Sequence, residues 1–220
     1  MAELCRMRWE EAFERERTRY DDGVRRLDPG QLVRLGNAAY GAGLALLMVG
    51  RGDEAGEWFD LAAVRYRESW EYAGPAAWGR PLGALKAALI AGRDDGAVDA
   101  AHWTLELGAA TADSAIGRYA GTLALLVLGR DDEAAQLAKS LRGRDGFPPA
   151  VAGALAALAA GRSVEYAAAA EAVLVSFETR TEHLENVPVA DTVLALQALA
   201  AARGLMPALR RSAVLPGYGS

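Results

Sequence analysis

A nine-residue segment recurs along this chain, and its chemistry dictates a helix end followed at once by a helix start. Leu-Met-Val-Gly-Arg-Gly-Asp-Glu-Ala occupies 47–55 and returns as Leu-Ile-Ala-Gly-Arg-Asp-Asp-Gly-Ala at 89–97. It appears again as Leu-Val-Leu-Gly-Arg-Asp-Asp-Glu-Ala at 126–134, and more weakly as Leu-Ala-Ala-Gly-Arg-Ser-Val-Glu-Tyr at 158–166. In each copy a leucine-rich run stops at a glycine suited to the left-handed conformation past a helix C-terminus, with an arginine beside the last carbonyls. An Asp or Ser able to cap orphan N–H groups follows, and Glu sits in the new first turn where the macrodipole favours it. Every copy therefore reads as a tight turn between two antiparallel helices. The glycines fall at Gly50, Gly92, Gly129 and Gly161, so the period shortens from 42 to 37 to 32 residues. Two helices and two turns fit in each.

The rest of the sequence agrees with helices. Ile116, Tyr119, Leu123, Leu126 and Val127 share one helical stripe, as do Trp58, Leu61 and the stem of Arg65, and no useful length alternates as a strand would. Runs such as 152–160 mix alanine and leucine with almost no β-branched or aromatic residue, which favours helix. A length of 220 residues with 52% hydrophobic content is enough for the continuous core of one domain.

Charge and cysteine usage narrow the function classes. The net charge is -5, and arginines are interleaved with Asp and Glu, which gives no basic patch for nucleic acid. Even the arginine-rich stretch 6–26 holds Glu10, Glu11, Glu14, Glu16, Asp21 and Asp22. It reads as a solvated, ion-paired helix face, with an anionic-ligand patch as the alternative. Cys5 is the only cysteine, so neither a disulfide within one chain nor a cysteine zinc site is expected. The first six residues lack the apolar core of a signal peptide, and the longest apolar stretch, 38–50, is too short for a bilayer, which needs about twenty residues. The expectation is a cytoplasmic protein that contacts neither membrane nor nucleic acid.

The segment at 50–55 resembles the Gly-Asp-Tyr-Asp-Glu-Ala turn of tetratricopeptide repeats, whose period is about 34 residues. The resemblance covers roughly 31–180 and implies an all-α array of antiparallel helix-turn-helix repeats. Anchored on that turn, the family's small first-helix residue falls on Gly43 and its small partner on Ala55. The bulky aromatic then falls on Phe59, the next small position on Ala62, and the third copy sets Thr122 opposite Ala134. The second and fourth copies depart from the family, with Leu85 and Tyr166 at small positions and Ala101, Ala138 and Ala170 where an aromatic belongs.

Repeat arrays expose an apolar face at each end, and both flanks read as caps. Residues 1–30 form an N-terminal capping helix, about 3–26, that buries Phe13, Tyr20, Val24 and Leu27 and ends at Asp28-Pro29-Gly30. About four helix pairs fill 31–180. A C-terminal capping helix is expected over 186–204, opening at Asn186 and Pro188, with Val189, Val193, Leu196 and Ala200 on a stripe widened by Leu194 and Leu199. Gly204 stops it, and 205–220 reads as an extended tail. The wide stripe is either buried in the chain's own core or used for a homodimer.

The resemblance places first-helix residues on a concave face, which selects Asn37, Tyr40, Leu44, Lys86, Tyr119 and Leu123 as a partner-binding groove. Amide, phenol and apolar side chains together suit a helix or an extended peptide. The alternative is that Tyr40 and Tyr119 are core residues. Trp70 and Trp78 flank Gly74-Pro75 and read as corner packing rather than a ligand cage. His102 and His183 lie in no metal-binding motif, and neither a phosphate loop nor a nucleophile elbow occurs, so no catalytic residue, cofactor or metal is expected. Around His183, Glu178, Glu182 and Glu185 read as one charged helix end, with a weak cation or acid–base site as the other reading.

The leading expectation is therefore a binding module that engages another protein or peptide through its concave face. The segment 191–200, with Arg203-Gly204 and Val214-Leu215-Pro216, is similar to the ends of some all-α immunity proteins of bacterial toxin systems, which would imply an inhibitor that covers a toxin. The alternatives are a small-molecule-binding or enzymatic domain using Glu178, Glu182, His183 and Asp191, or a structural homo-oligomer.

Overall fold

The turns that recur in the sequence set the architecture of the computed structural model, which describes residues 2–26, 28–205 and 207–217. Helix α1 spans Ala2–Val24, and a short 3-10 turn at Pro29–Gln31 leads into α2, Leu32–Met48. There follow α3 (Gly52–Trp70), α4 (Gly79–Ile90), α5 (Asp94–Glu106), α6 (Ala115–Val127), α7 (Asp131–Leu141), α8 (Pro149–Ala159), α9 (Ser163–Thr179) and α10 (Asp191–Ala202). The fold is all-α, with no strand among the described residues. No described helix is long and apolar enough to cross a membrane.

All four repeated turns have one backbone solution. Gly50, Gly92, Gly129 and Gly161 adopt φ between 64° and 78°, the left-handed region that L side chains avoid. The arginine after each glycine returns its N–H to a carbonyl five residues back: Arg51 to Leu46, Arg93 to Ala88, Arg130 to Leu125 and Arg162 to Ala157, at 2.9–3.0 Å. Orphan carbonyls are thereby satisfied and the chain reverses within three residues. The expected Asp or Ser caps do not form. The arginine itself takes the cap position without a side-chain cap bond, and the first acids stand one to three positions later, in the first helical turn. There they act through charge on the helix dipole. Arg51 and Arg130 also form two-pronged pairs with Glu54 and Glu133.

Consecutive helices from α1 to α9 pack against each other, and α6 also touches α4 and α8, so these three helices form an inner layer. Close approach depends on missing side chains. A Cβ on Gly43 would lie 3.0 Å from the ring of fully buried Phe59, and Gly36 and Gly83 clasp the two sides of the Tyr66 ring. Thr122 and Ala134 are both buried, as are Leu85 and Tyr166 at the positions where a small residue was expected. The departures from the repeat pattern are accommodated in the core. Trp70 packs at 5.6 Å from Trp78 and 6.3 Å from Trp103, which closes the Gly74-Pro75 corner.

The C-terminal region departs from the sequence reading. Helix α9 stops at Thr179, where the Thr179 hydroxyl and the Arg180 guanidinium cap carbonyls of its last turn. Glu182 and Glu185 therefore do not continue a helical face with Glu178. Nor does a helix begin at Asn186: residues 184–186 form a 3-10 turn, 187–190 are non-helical, and α10 starts at Asp191. The Val189 and Asp191 N–H groups bond locally at 2.8 and 2.9 Å, and Ala190 donates to the Val214 carbonyl of the returning tail. These bonds commit the backbone before a helix can start.

Helix α10 does not simply close the outer side of α9. It folds back onto α4 and also touches α8 and α9, and its stripe of Thr192, Val193, Ala195, Leu196, Leu199 and Ala200 is buried inside the chain. Arg203 fixes its far end to the α6–α7 turn through the Leu126 carbonyl and Asp131. The segment after Gly204 also packs, burying Ser212, Val214 and Leu215. In α1, Trp9, Phe13 and Tyr20 are buried, whereas Leu27, the Cys5 side chain, Met206 and 218–220 lie outside the described residues.

Candidate functional site

Because α10 returns to the inner layer, residues far apart in sequence meet over α2 and α4. Asp191 is the first residue of α10, and its carboxylate faces Lys86 on α4 and Tyr40 on α2. Lys86 Nζ donates to Asp191 Oδ2 and, at 3.2 Å, to Thr192 Oγ1. The Tyr40 hydroxyl donates to the same Oδ2 at 3.1 Å, and the Thr192 hydroxyl donates to Oδ1 at 3.3 Å. Side-chain exposure is only 10% for Lys86 and 15% for Asp191, so two opposite charges are held almost out of water. Burial, then the Asp191 charge, pushes the Tyr40 hydroxyl well above its ordinary pKa, and it stays a neutral donor.

Two cavities adjoin this pair and share Leu82, Lys86, Leu184 and Asp191 in their walls. The first, about 400 Å³, lies between α2, the start of α4 and the 184–191 segment, with Val33, Asn37, Tyr66 and Arg80 completing its walls. The Tyr66 hydroxyl donates to Asn37 Oδ1 at 2.9 Å. The second, about 320 Å³, reaches Tyr119, Phe177, Arg180, Glu182 and His183. The Tyr119 hydroxyl is buried near Thr192 without a well-formed hydrogen bond, and His183 Nδ1 is buried without one. Burial first, and then the Arg180 charge, lowers the His183 pKa. Arg180 lies over the Phe177 ring at 3.5 Å from its centre.

The six residues expected to line a groove occupy this inner side, but not as an open surface. Asn37, Tyr40, Leu44, Lys86 and Tyr119 border one or both cavities, and Leu123 is fully buried beneath them. What covers them is the chain itself, because Val187, Val189 and Ala190 are buried in the segment that crosses the inner layer. Of the four residues in the alternative site, Glu182, His183 and Asp191 share the second cavity. Glu178 points elsewhere and bonds Arg210 and the Ser212 hydroxyl of the returning tail.

A second polar cluster pins the crossing segment to α1. Glu16 is fully buried and accepts from Arg15 and Arg19, each at 2.8 Å. Arg19 also pairs with the Glu185 carboxylate, while Arg15 donates to the Glu185 carbonyl at 3.2 Å. Glu185 and Asn186 have φ of 53° and 56°, two consecutive left-handed residues without glycine. Such conformations persist where the surroundings over-determine them, and here the α1 arginines do so. The remaining α1 pairs, Arg6–Glu10, Arg17–Glu14 and Arg25–Asp22, are solvated. Sequence reasoning missed Arg15, Arg19, Tyr66, Arg80 and Thr192. For Glu16 a signal existed, since it stands between Phe13 and Tyr20 on the apolar stripe of α1.

The tail contact has a pH signature. Arg210, and then the Ser212 bond, hold the Glu178 carboxyl below its ordinary pKa. A depressed folded pKa gives stabilisation that is present above the unfolded value and fades as pH falls through the folded one. The expected result is that Ser212 and Val214 chemical shifts change together with the Glu178 carboxyl, at a midpoint below that of a free glutamate. In Glu178→Gln that step should vanish.

No group of His, Cys, Asp and Glu fit to hold a metal ion occurs among the described residues. No family model matches the chain, and neither a curated protein nor a solved structure is similar to it.

Proposed function

We propose that the protein is a cytoplasmic, non-enzymatic, tetratricopeptide-like binding module that engages another protein at its inner face. The observation that carries this reading is that the face already accommodates an extended chain in cis. Val187 and Val189 are buried against it while Leu184, next to the open cavity, stays 44% exposed. Extended peptides are held in this way, through buried alternate side chains and anchored backbone. The four turns of like backbone and the contacts of α6 with α4 and α8 support the repeat reading. Mutual pairing of Lys86 and Asp191 commits both charges to holding α10 on α4, a structural use that suits a binding module. In its specialised form the module is an inhibitor of a bacterial toxin, a reading supported by the resemblance of the 191–216 region to all-α immunity proteins.

A photo-crosslinking residue at Leu184, compared with one at Val164, which is 77% exposed at the start of α9, tests the proposal in the native cell. One discrete protein adduct at 184 and none at 164 is expected, and the inhibitor form further requires that this protein lose its own activity when one equivalent of the module is added. Absence of a specific adduct at 184 would overturn the inner-face reading.

A further inference from the structure

We propose that the 400 Å³ cavity between α2, α4 and the 184–191 segment is a binding site for a small amphipathic monocarboxylate, its charged end at Arg80 and its apolar body on Val33, Leu82 and Leu184. This goes beyond the protein-binding reading and does not depend on it. The charge balance of the walls selects a single negative charge. Lys86 and Asp191 neutralise each other, so Arg80 supplies the one uncompensated charge of the cavity. Its Nη1 is buried and has no acceptor among the described residues. A buried guanidinium donor without a partner calls for an acceptor, and the cavity that Arg80 lines is where one from outside the chain can reach it.

The neighbouring groups suit the same end of the ligand. Tyr66 donates to Asn37 Oδ1, which leaves the Asn37 amide hydrogens without an acceptor among the described residues. Arg80 stands in the first turn of α4, the end at which the helix dipole favours an anion. A planar fork of N–H groups matches a carboxylate. A phosphate dianion would need a second free cation, and beyond these polar groups the walls are aliphatic or aromatic, as Val33, Leu82 and Leu184 show. Apolar walls with a few convergent polar groups are the ordinary form of a small-ligand site, and the volume is in their range.

Calorimetric titration of the full chain with octanoate, and separately with octanamide, tests the inference. Octanoate is expected to bind one to one and at least about tenfold more tightly than the amide, since the amide brings no charge to Arg80. Arg80→Gln should remove that preference, and Val33→Trp, which fills the cavity from α2, should abolish binding of both while circular dichroism stays unchanged. Equal affinity of the wild type for acid and amide, a preference for octanoate retained in Arg80→Gln, or no saturable binding to the wild type would each overturn the assignment. The crosslinking test at Leu184 reads a protein adduct, so either proposal can fail while the other stands.

Discussion

Replacing Asp191 with alanine is expected to lower the stability of the protein by about 3 kcal/mol, near the lower end for breaking a buried ion pair because Asp191 keeps some exposure. The loss is not the value of the Lys86–Asp191 attraction alone. Among the described residues, Lys86 without the carboxylate keeps only the Thr192 hydroxyl at 3.2 Å, and the Tyr40 hydroxyl loses its only acceptor. An ammonium group left in a site 90% removed from water is the main cost. The double variant Lys86→Met, Asp191→Leu should recover most of the stability, because it removes both desolvation penalties together. Urea unfolding of the two variants beside the wild type checks the pair. A cost below about 1 kcal/mol for Asp191→Ala would class the ion pair with solvated surface bridges.

This pair also shows how far the sequence could be read. The repeat resemblance selects Tyr40 and Lys86, anchored on the glycine turns that end α2 and α4. Asp191 lies 105 residues beyond Lys86, after the turn that ends α9, and its position depends on where the 180–190 segment travels. That path is set by contacts with no sequence period: Arg19 with Glu185, Arg15 with the Glu185 carbonyl, and Ala190 with the Val214 carbonyl. Hence the resemblance selects two side chains that meet at Asp191, but their being covered from within could not be read from it. The same limit explains the helix start displaced from Asn186 to Asp191. Pro188 and the apolar stripe are compatible with a helix, and it is the local bonds of Val189 and Asp191 together with the Ala190–Val214 bond that hold 187–190 non-helical.

Glycines inside helices offer a sharper test of the packing, because two opposing effects of known size compete at each. Exchange of a helical glycine for alanine brings roughly 0.5–1 kcal/mol through reduced backbone freedom. At Gly153, in α8, a new Cβ would sit 3.7 Å from Ala169 Cβ, an ordinary contact, so Gly153→Ala should stabilise by about that amount. At Gly121, in α6, the Cβ would lie 2.8 Å from the Ala110 nitrogen and 2.9 Å from the Ala109 carbonyl carbon. These are backbone atoms of the 3-10 turn Ala109–Thr111 and cannot rotate away as a side chain would. Relieving that overlap moves a helix, an overpacking cost of about 1–3 kcal/mol that exceeds the propensity gain. Gly121→Ala should therefore destabilise, and Gly121→Val, with a larger overlap and no comparable gain in propensity, should cost about 3 kcal/mol or more in urea unfolding. Because α6 also carries Tyr119 into the second cavity, displacement of α6 should shift the Tyr119 ring resonances, whereas Gly153→Ala should leave them in place. Opposite signs for the two alanine variants would show that the close approach of α6 to the Ala109–Thr111 turn, rather than helix propensity, decides the effect at Gly121.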